Sequence, residues 1–136
     1  MSLENNSSNF IRNIIVDDLE PSEMDEASYY GRIFARVGGL TDAVTEAVKE
    51  LGVEGFEFNP LVCEGVEKCK PALMRAKKGV LPNNFIEGMI CSGGCVGGAG
   101  CLTHDGESHK KEVEMYGHES KKETILKAVE DSENIF

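Results

Sequence analysis

Phe85-Ile86-Glu87-Gly88-Met89-Ile90-Cys91-Ser92-Gly93-Gly94-Cys95-Val96-Gly97-Gly98-Ala99-Gly100-Cys101 is an apolar run that passes without a break into a segment of glycine and cysteine. Its first six residues predict a short buried strand. From Cys91 to Cys101, eleven residues hold three cysteines and five glycines. Five glycines are costly in ordered backbone unless sharp turning or close approach needs them. Such a segment brings backbone N–H groups near an anion, as do the nests that hold phosphates and iron–sulfur clusters. Cys91 and Cys95 face one site if the chain curls there like a helical turn. Thiolates so placed suit an iron–sulfur cluster, and a following helix N-terminus would favour its negative charge.

Other chemistries fit the segment less well. A dinucleotide fingerprint needs glycines at i, i+2 and i+5, and a P-loop ends in Gly-Lys-Ser/Thr. Neither pattern is present. A structural zinc site usually shows CxxC pairs, and CxxxC is a poorer match. The plain structural alternative is a glycine-rich turn with small, buried cysteines.

Working outward, Gly65 to Gly79 reads as a helix with Lys77 and Lys78 in its last turn and Gly79 as its stop. Pro71 fits if the regular helix begins near Lys70. Val53 to Cys63 contains Phe56-Glu57-Phe58 and Leu61-Val62-Cys63, apolar residues broken by Pro60, which predicts a kinked or edge strand. Strand, helix and strand in that order predict a crossover between parallel strands, with ligands beyond the strands' carboxyl ends, where Cys91 falls. Leu40, Ala43, Val44, Ala47, Val48 and Leu51 recur at the helical period and predict a helix over 40–51 closed by Gly52. The fold class is α/β, a small mostly parallel sheet flanked by helices.

The flanks are less informative. Residues 1–9 read as a disordered tail, Phe10 to Val16 as an apolar piece whose periodicity does not separate helix from strand, and Asp17 to Glu26 as an acidic linker. Ala27 to Gly31 reads as irregular. Residues 102–136 read as a polar loop carrying His104, His109 and His118 as solvated side chains, then a short helix over Lys121 to Glu130. The whole is one domain.

Lys plus Arg is 14 and Asp plus Glu is 24, a net charge of −10 over 136 residues. That balance argues against nucleic acid and against an anionic membrane surface as partners. No apolar run approaches the ~20 residues that span a bilayer, and the N-terminus shows no secretion signal, which places the chain in the cytoplasm. Five cysteines, at 63, 69, 91, 95 and 101, cannot all pair within one chain, and metal or redox chemistry is the better reading in a reducing compartment. Cys63 reads as a strand-end core residue, Cys69 as an exposed or half-buried helix residue, and Cys101 as undecided. Lys68, Lys70, Arg75, Lys77 and Lys78 form a basic helical face, read as solvated or as a docking surface for the rest of a longer chain.

Met89-Ile90-Cys91-Ser92-Gly93-Gly94-Cys95-Val96-Gly97-Gly98-Ala99-Gly100 resembles the third cysteine motif of the iron-only ([FeFe]) hydrogenases, Met-x-Cys-x-x-Gly-Cys-x-x-Gly-Gly-Gly-Gln-Pro in broad form. Gly65 through Met89 is similar to the family's helix and strand before that motif. Gly31-Arg32-Ile33-Phe34 with Gly38-Gly39-Leu40-Thr41-Asp42-Ala43 resembles its earlier glycine-pair helix, so the likeness covers about 31–101. The resemblance implies that Cys91 and Cys95 are two of four thiolate ligands to a [4Fe–4S] cluster with a two-iron subsite, the site of reversible proton reduction to hydrogen. Cys95 would also bridge to the two-iron subsite, with Met89, Gly93 and Gly94 packed against the cofactor. An electron carrier such as ferredoxin is the implied partner.

Departures from the pattern shape the reading. The Thr-Ser-Cys-Cys-Pro and Met-Pro-Cys motifs that carry the family's other two ligands do not occur here. Ser92 stands for the usual Pro, Ala99 for a Gly, and Cys101-Leu102 for Gln-Pro, which points to a divergent, sensory or regulatory branch. The chain reads as the carboxyl-terminal piece of a longer protein, whose remainder is its first partner. Alone it is expected to fold without the cluster and to be inactive. Two alternatives stand beside this: a [2Fe–2S] site of Cys63, Cys69, Cys91 and Cys95, resembling the thioredoxin-like ferredoxins, and a non-enzymatic cluster-handling module.

Overall fold

The computed structural model describes residues 27–102 and 107–133. Its centre is a strand–helix–strand unit: β1 (Pro60–Glu64), α3 (Val66–Lys77) and β2 (Phe85–Met89), preceded by helices α1 (Tyr29–Arg32) and α2 (Gly39–Glu50). A single 3₁₀ turn (Cys95–Gly97) and helices α4 (Glu107–His118) and α5 (Ile125–Glu133) follow. The two strands are parallel, with Pro60 opposite Phe85 and Glu64 opposite Met89. The expected α/β class and crossover are therefore present, in a two-stranded sheet with five α-helices among the described residues.

Alternation along the strands divides their side chains between two faces. Leu61, Cys63 and Ile86 point to one face and meet Cys69 and Ala72 of α3, forming a small core. Glu64, Glu87 and Met89 point to the other, toward α2 and the cysteine loop. Pro60 sits at the first strand position, where a missing N–H costs no ladder bond. The residues before it, from Val53, form no strand, so the expected kinked strand contracts to five residues.

Local chemistry explains the helix ends. Gly52 and Gly79 donate to Lys49 and Ala76 carbonyls, and Val53 and Val80 reach back to Val48 and Arg75, the paired bonds of a Schellman stop. At the other end, α3 begins at Val66 rather than near Lys70, so Pro71 lies inside it. Helix contacts with β1 and β2 outweigh the one missing backbone bond.

The helical half is organised by α1, which contacts α2, α4 and α5. Ser28 caps α1, its Oγ accepting from Gly31 N at 3.3 Å, so the predicted irregular segment contains one helical turn. Ile33, fully buried, packs where Gly117 of α4 leaves room for it. The Glu50 carboxylate accepts from Ile125 N (3.0 Å) and Leu126 N (2.9 Å), capping α5 from α2. Residues 107–118, expected as a polar loop, are the helix α4. Its one inward stripe, on which Glu114 and Gly117 meet Tyr29, Ile33 and Arg36, is too sparse in apolar residues to give a periodic signal. The terminal helix starts at Ile125, later than expected. The readings made for residues 1–26 lie outside the described residues.

Candidate metal centre

The cysteine loop leaves the carboxyl end of β2 and folds back over the sheet face that carries Glu64, Glu87 and Met89. It is built as successive tight turns: Gly94 N donates to Cys91 O (3.1 Å), Gly97 N to Gly94 O (3.1 Å), Gly98 N to Cys95 O (3.0 Å) and Cys101 N to Gly98 O (3.0 Å). Gly93 and Gly94 have φ of 81° and 93°, conformations that an L side chain resists. Cys91 and Cys95 are both exposed, and Cys101 is half-buried, its thiol donating to Cys95 O at 3.3 Å.

Residues 35–37 hold the loop from behind. Arg36 and Gly94 form an isolated antiparallel bridge; Val37 N donates to Gly93 O (3.3 Å), and Val96 N to Ala35 O (3.2 Å). A Cβ on Gly94 would lie 2.5 Å from Ala35 O and 2.9 Å from Met89 Sδ. The Met89 thioether therefore touches the turn between the two cysteines, while a Cβ on Gly98 would lie 3.4 Å from Cys91 Sγ.

Charged side chains anchor this backing. Arg36 is buried, with Nη2 2.7 Å from Asp42 Oδ2 and Nε 2.5 Å from Glu114 Oε1. Burial alone would lower its pKa; the bonds with Asp42 and Tyr29 and the charge of Glu114 reverse that and raise it. Tyr29 donates to Glu114 Oε2 at 2.5 Å, and this bond, with burial, raises the Tyr29 pKa. The same bond lowers that of Glu114, helped by Arg36. Glu87 is 2 % exposed and caps α2: Oε1 accepts from Gly38 N (2.8 Å), and Oε2 from Thr41 N (2.8 Å) and Thr41 Oγ1 (2.5 Å). Glu64 Oε1 accepts from Gly93 N (2.7 Å) and Ser92 Oγ (2.8 Å), and these bonds hold its carboxyl below the usual range.

The five cysteines thus divide into two environments. Cys63 and Cys69 are buried between sheet and α3, at 3 % and 4 % exposure, and burial pushes the Cys63 thiol pKa up. Cys69, expected exposed or half-buried, lies instead with Sγ 3.6 Å from the carbonyls of Cys63 and Met89. Its helix position faces the strands rather than water. No group of three or more His, Cys, Asp or Glu side chains is poised to hold a metal among the described residues: Cys63 and Cys69 are buried beneath the sheet, and Cys91 and Cys95 are exposed on the loop. His118 stacks on Tyr29 with ring centroids 4.8 Å apart, and His109 Nδ1 lies 3.5 Å from Glu112 Oε2. His109 is half-buried, not a solvated loop residue, because it sits on α4. Under native conditions iodoacetamide is expected to label Cys91 and Cys95 at least ~100-fold faster than Cys63 and Cys69, whose exposure requires unfolding. Peptide mass mapping over a time course checks this, and equal labelling of Cys69 would contradict the burial.

Sequence reading missed Glu87, Arg36 and Glu114. Glu87 left one trace, a carboxylate inside an otherwise apolar strand. Arg36 and Glu114 left none, since a charged residue in a turn or on a polar helix is ordinary.

No helix among the described residues is long and apolar enough to cross a membrane. No curated protein matches the chain. A family model, the iron only hydrogenase large subunit, C-terminal domain, matches residues 9–99, about two-thirds of the chain, and starts well before the expected boundary at 31. With a parallel strand pair delivering the glycine–cysteine loop at a carboxyl end, and that match running through both, the chain belongs to the family of carboxyl-terminal domains of iron-only hydrogenase large subunits.

Proposed function

We propose that Cys91 and Cys95 are iron ligands in a hydrogenase large subunit, supplying two thiolates of a four-thiolate cluster site. The observation that carries the reading is the contrast between two exposed thiols on one glycine turn at the end of β2 and two buried ones beneath the sheet. Family membership sets iron–sulfur oxidoreductase chemistry for the parent protein. The loop fits half of such a site. It offers two exposed sulfurs and backbone turns free of side-chain bulk, and the other two ligands must come from elsewhere in the large subunit.

When bound, the cluster, a [4Fe–4S] unit with a two-iron subsite, would pass electrons between the carrier and protons for the reversible formation of hydrogen. This chain's residues hold and shield. Cys91 and Cys95 bind iron; Gly93 and Gly94 let the backbone pass close; the Met89 thioether packs under the turn and excludes water. In this reading the exposed loop is covered by the rest of the parent protein, a ferredoxin-type carrier exchanges electrons, and the protein works in the cytoplasm. Neither nucleic acid nor membrane takes part.

Anaerobic reconstitution of the purified chain with iron and sulfide tests the assignment. Iron uptake is expected to be substoichiometric, to fall at least ~5-fold in Cys91→Ser and in Cys95→Ser, and to be unchanged in Cys63→Ser. Hydrogen turnover by the chain alone is expected to be absent. Stoichiometric two-iron binding abolished by Cys63→Ser would replace this reading with the ferredoxin one, and turnover without added protein would refute the need for further ligands.

A further inference from the structure

We propose that Glu64 is a positioning residue for the Cys91–Cys95 loop, acting through the Ser92 hydroxyl and the Gly93 amide. The proposal rests on the reading of Cys91 and Cys95 as ligands and adds the group that sets their presentation. Glu64 is the last residue of β1 and the register partner of Met89. One carboxylate oxygen takes both bonds, 2.8 Å from Ser92 Oγ and 2.7 Å from Gly93 N. Two donors from consecutive residues on one oxygen fix the Ser92 rotamer and the plane of the Ser92–Gly93 peptide together. The direction in which the chain runs from Ser92 toward Cys95 follows from that plane.

The clamp is two-sided. While Gly93 N is held from β1, Gly93 O accepts from Val37 N at 3.3 Å, on the far side of the loop. The turn between the cysteines is thereby strung between the sheet and the segment before α2. Because the acceptor is charged, its bonds are stronger than a neutral pair's. Glu64 contributes little to the core, for it is only half-buried and belongs to neither the Cys63 cluster nor the α2 cap. Its loss should loosen the loop while leaving the domain folded.

Hydrogen exchange on the full chain, with iodoacetamide labelling, tests this. In Glu64→Ala the Gly93 amide is expected to exchange about tenfold faster or more, with labelling rates at Cys91 and Cys95 changed several-fold. Protection of the β1–β2 ladder should hold. Glu64→Gln keeps an acceptor oxygen and should restore most of the Gly93 protection. Ser92→Ala, which leaves β1 untouched, should give a smaller loosening that adds nothing in the Glu64→Ala background. Unchanged Gly93 exchange in Glu64→Ala, a uniform loss of protection across the ladder, or no rescue by Glu64→Gln would each overturn the assignment. Iron uptake by the unaltered chain is scored separately: its failure removes the ligand reading, whereas an indifferent Gly93 removes this one.

Discussion

Glu87→Ala is expected to destabilise the domain by about 3–5 kcal/mol, the largest loss from any single side chain on the sheet. The carboxylate comes from the middle of β2 and is nearly sealed from water. It satisfies two N–H groups at the start of α2, of Gly38 and Thr41, and the Thr41 hydroxyl. The first N–H groups of a helix have no partner within the helix, and leaving two of them buried and unpaired costs about 1–3 kcal/mol each. The negative charge also sits against the positive end of the α2 dipole. Glu87→Gln should cost nearly as much, since its amide NH₂ would confront an N–H that needs an acceptor. For a chain of this size the alanine loss corresponds to a fall in Tm of roughly 10–20 °C, read by thermal denaturation followed by circular dichroism. A fall under about 3 °C would mean that the cap is dispensable.

Gly94→Ala should act on the site directly. A Cβ there would lie 2.5 Å from Ala35 O and 2.9 Å from both the Arg36 carbonyl carbon and Met89 Sδ, at a φ of 93°. Two of those atoms are backbone and cannot step aside, so the loop itself must shift. Strain at such a φ and overpacking each cost about 1–3 kcal/mol, and about 2–4 kcal/mol in all is expected here. The Val96–Ala35 and Val37–Gly93 bonds would break, Cys91 and Cys95 would lose their common backing, and reconstituted iron should fall to near background. Gly100→Ala is the control: nothing lies within 4 Å of its Cβ, and both stability and iron uptake should match the unaltered chain. Iron retained by Gly94→Ala at normal levels would show that iron uptake does not depend on the bridge to Arg36.

The two substitutions strike one construction from opposite sides. Glu87 fastens α2 to the sheet, and the segment just before α2, residues 35–37, is the strip against which the cysteine loop is laid. Arg36 carries the strip's outward connection, to Asp42 on α2 and Glu114 on α4, with Tyr29 completing the chain of bonds. A helix that reads as polar filler thus supports the backing of the loop.

Periodicity, proline and glycine determined much by themselves: the stripe from Leu40 to Leu51, the stops at Gly52 and Gly79, the parallel pair around α3, and the glycine–cysteine loop at a strand's carboxyl end. These are short-range effects, written in residues whose backbone preferences or spacing act within a few positions. Tertiary structure alone decided that Cys69 faces inward, that α3 runs through Pro71, that residues 107–118 are helical, that Glu64 and Arg36 meet the loop, and that Glu87 caps α2. Each of those outcomes depends on partners in another element of the fold, and a contact made between elements leaves no periodic mark in the chain that makes it.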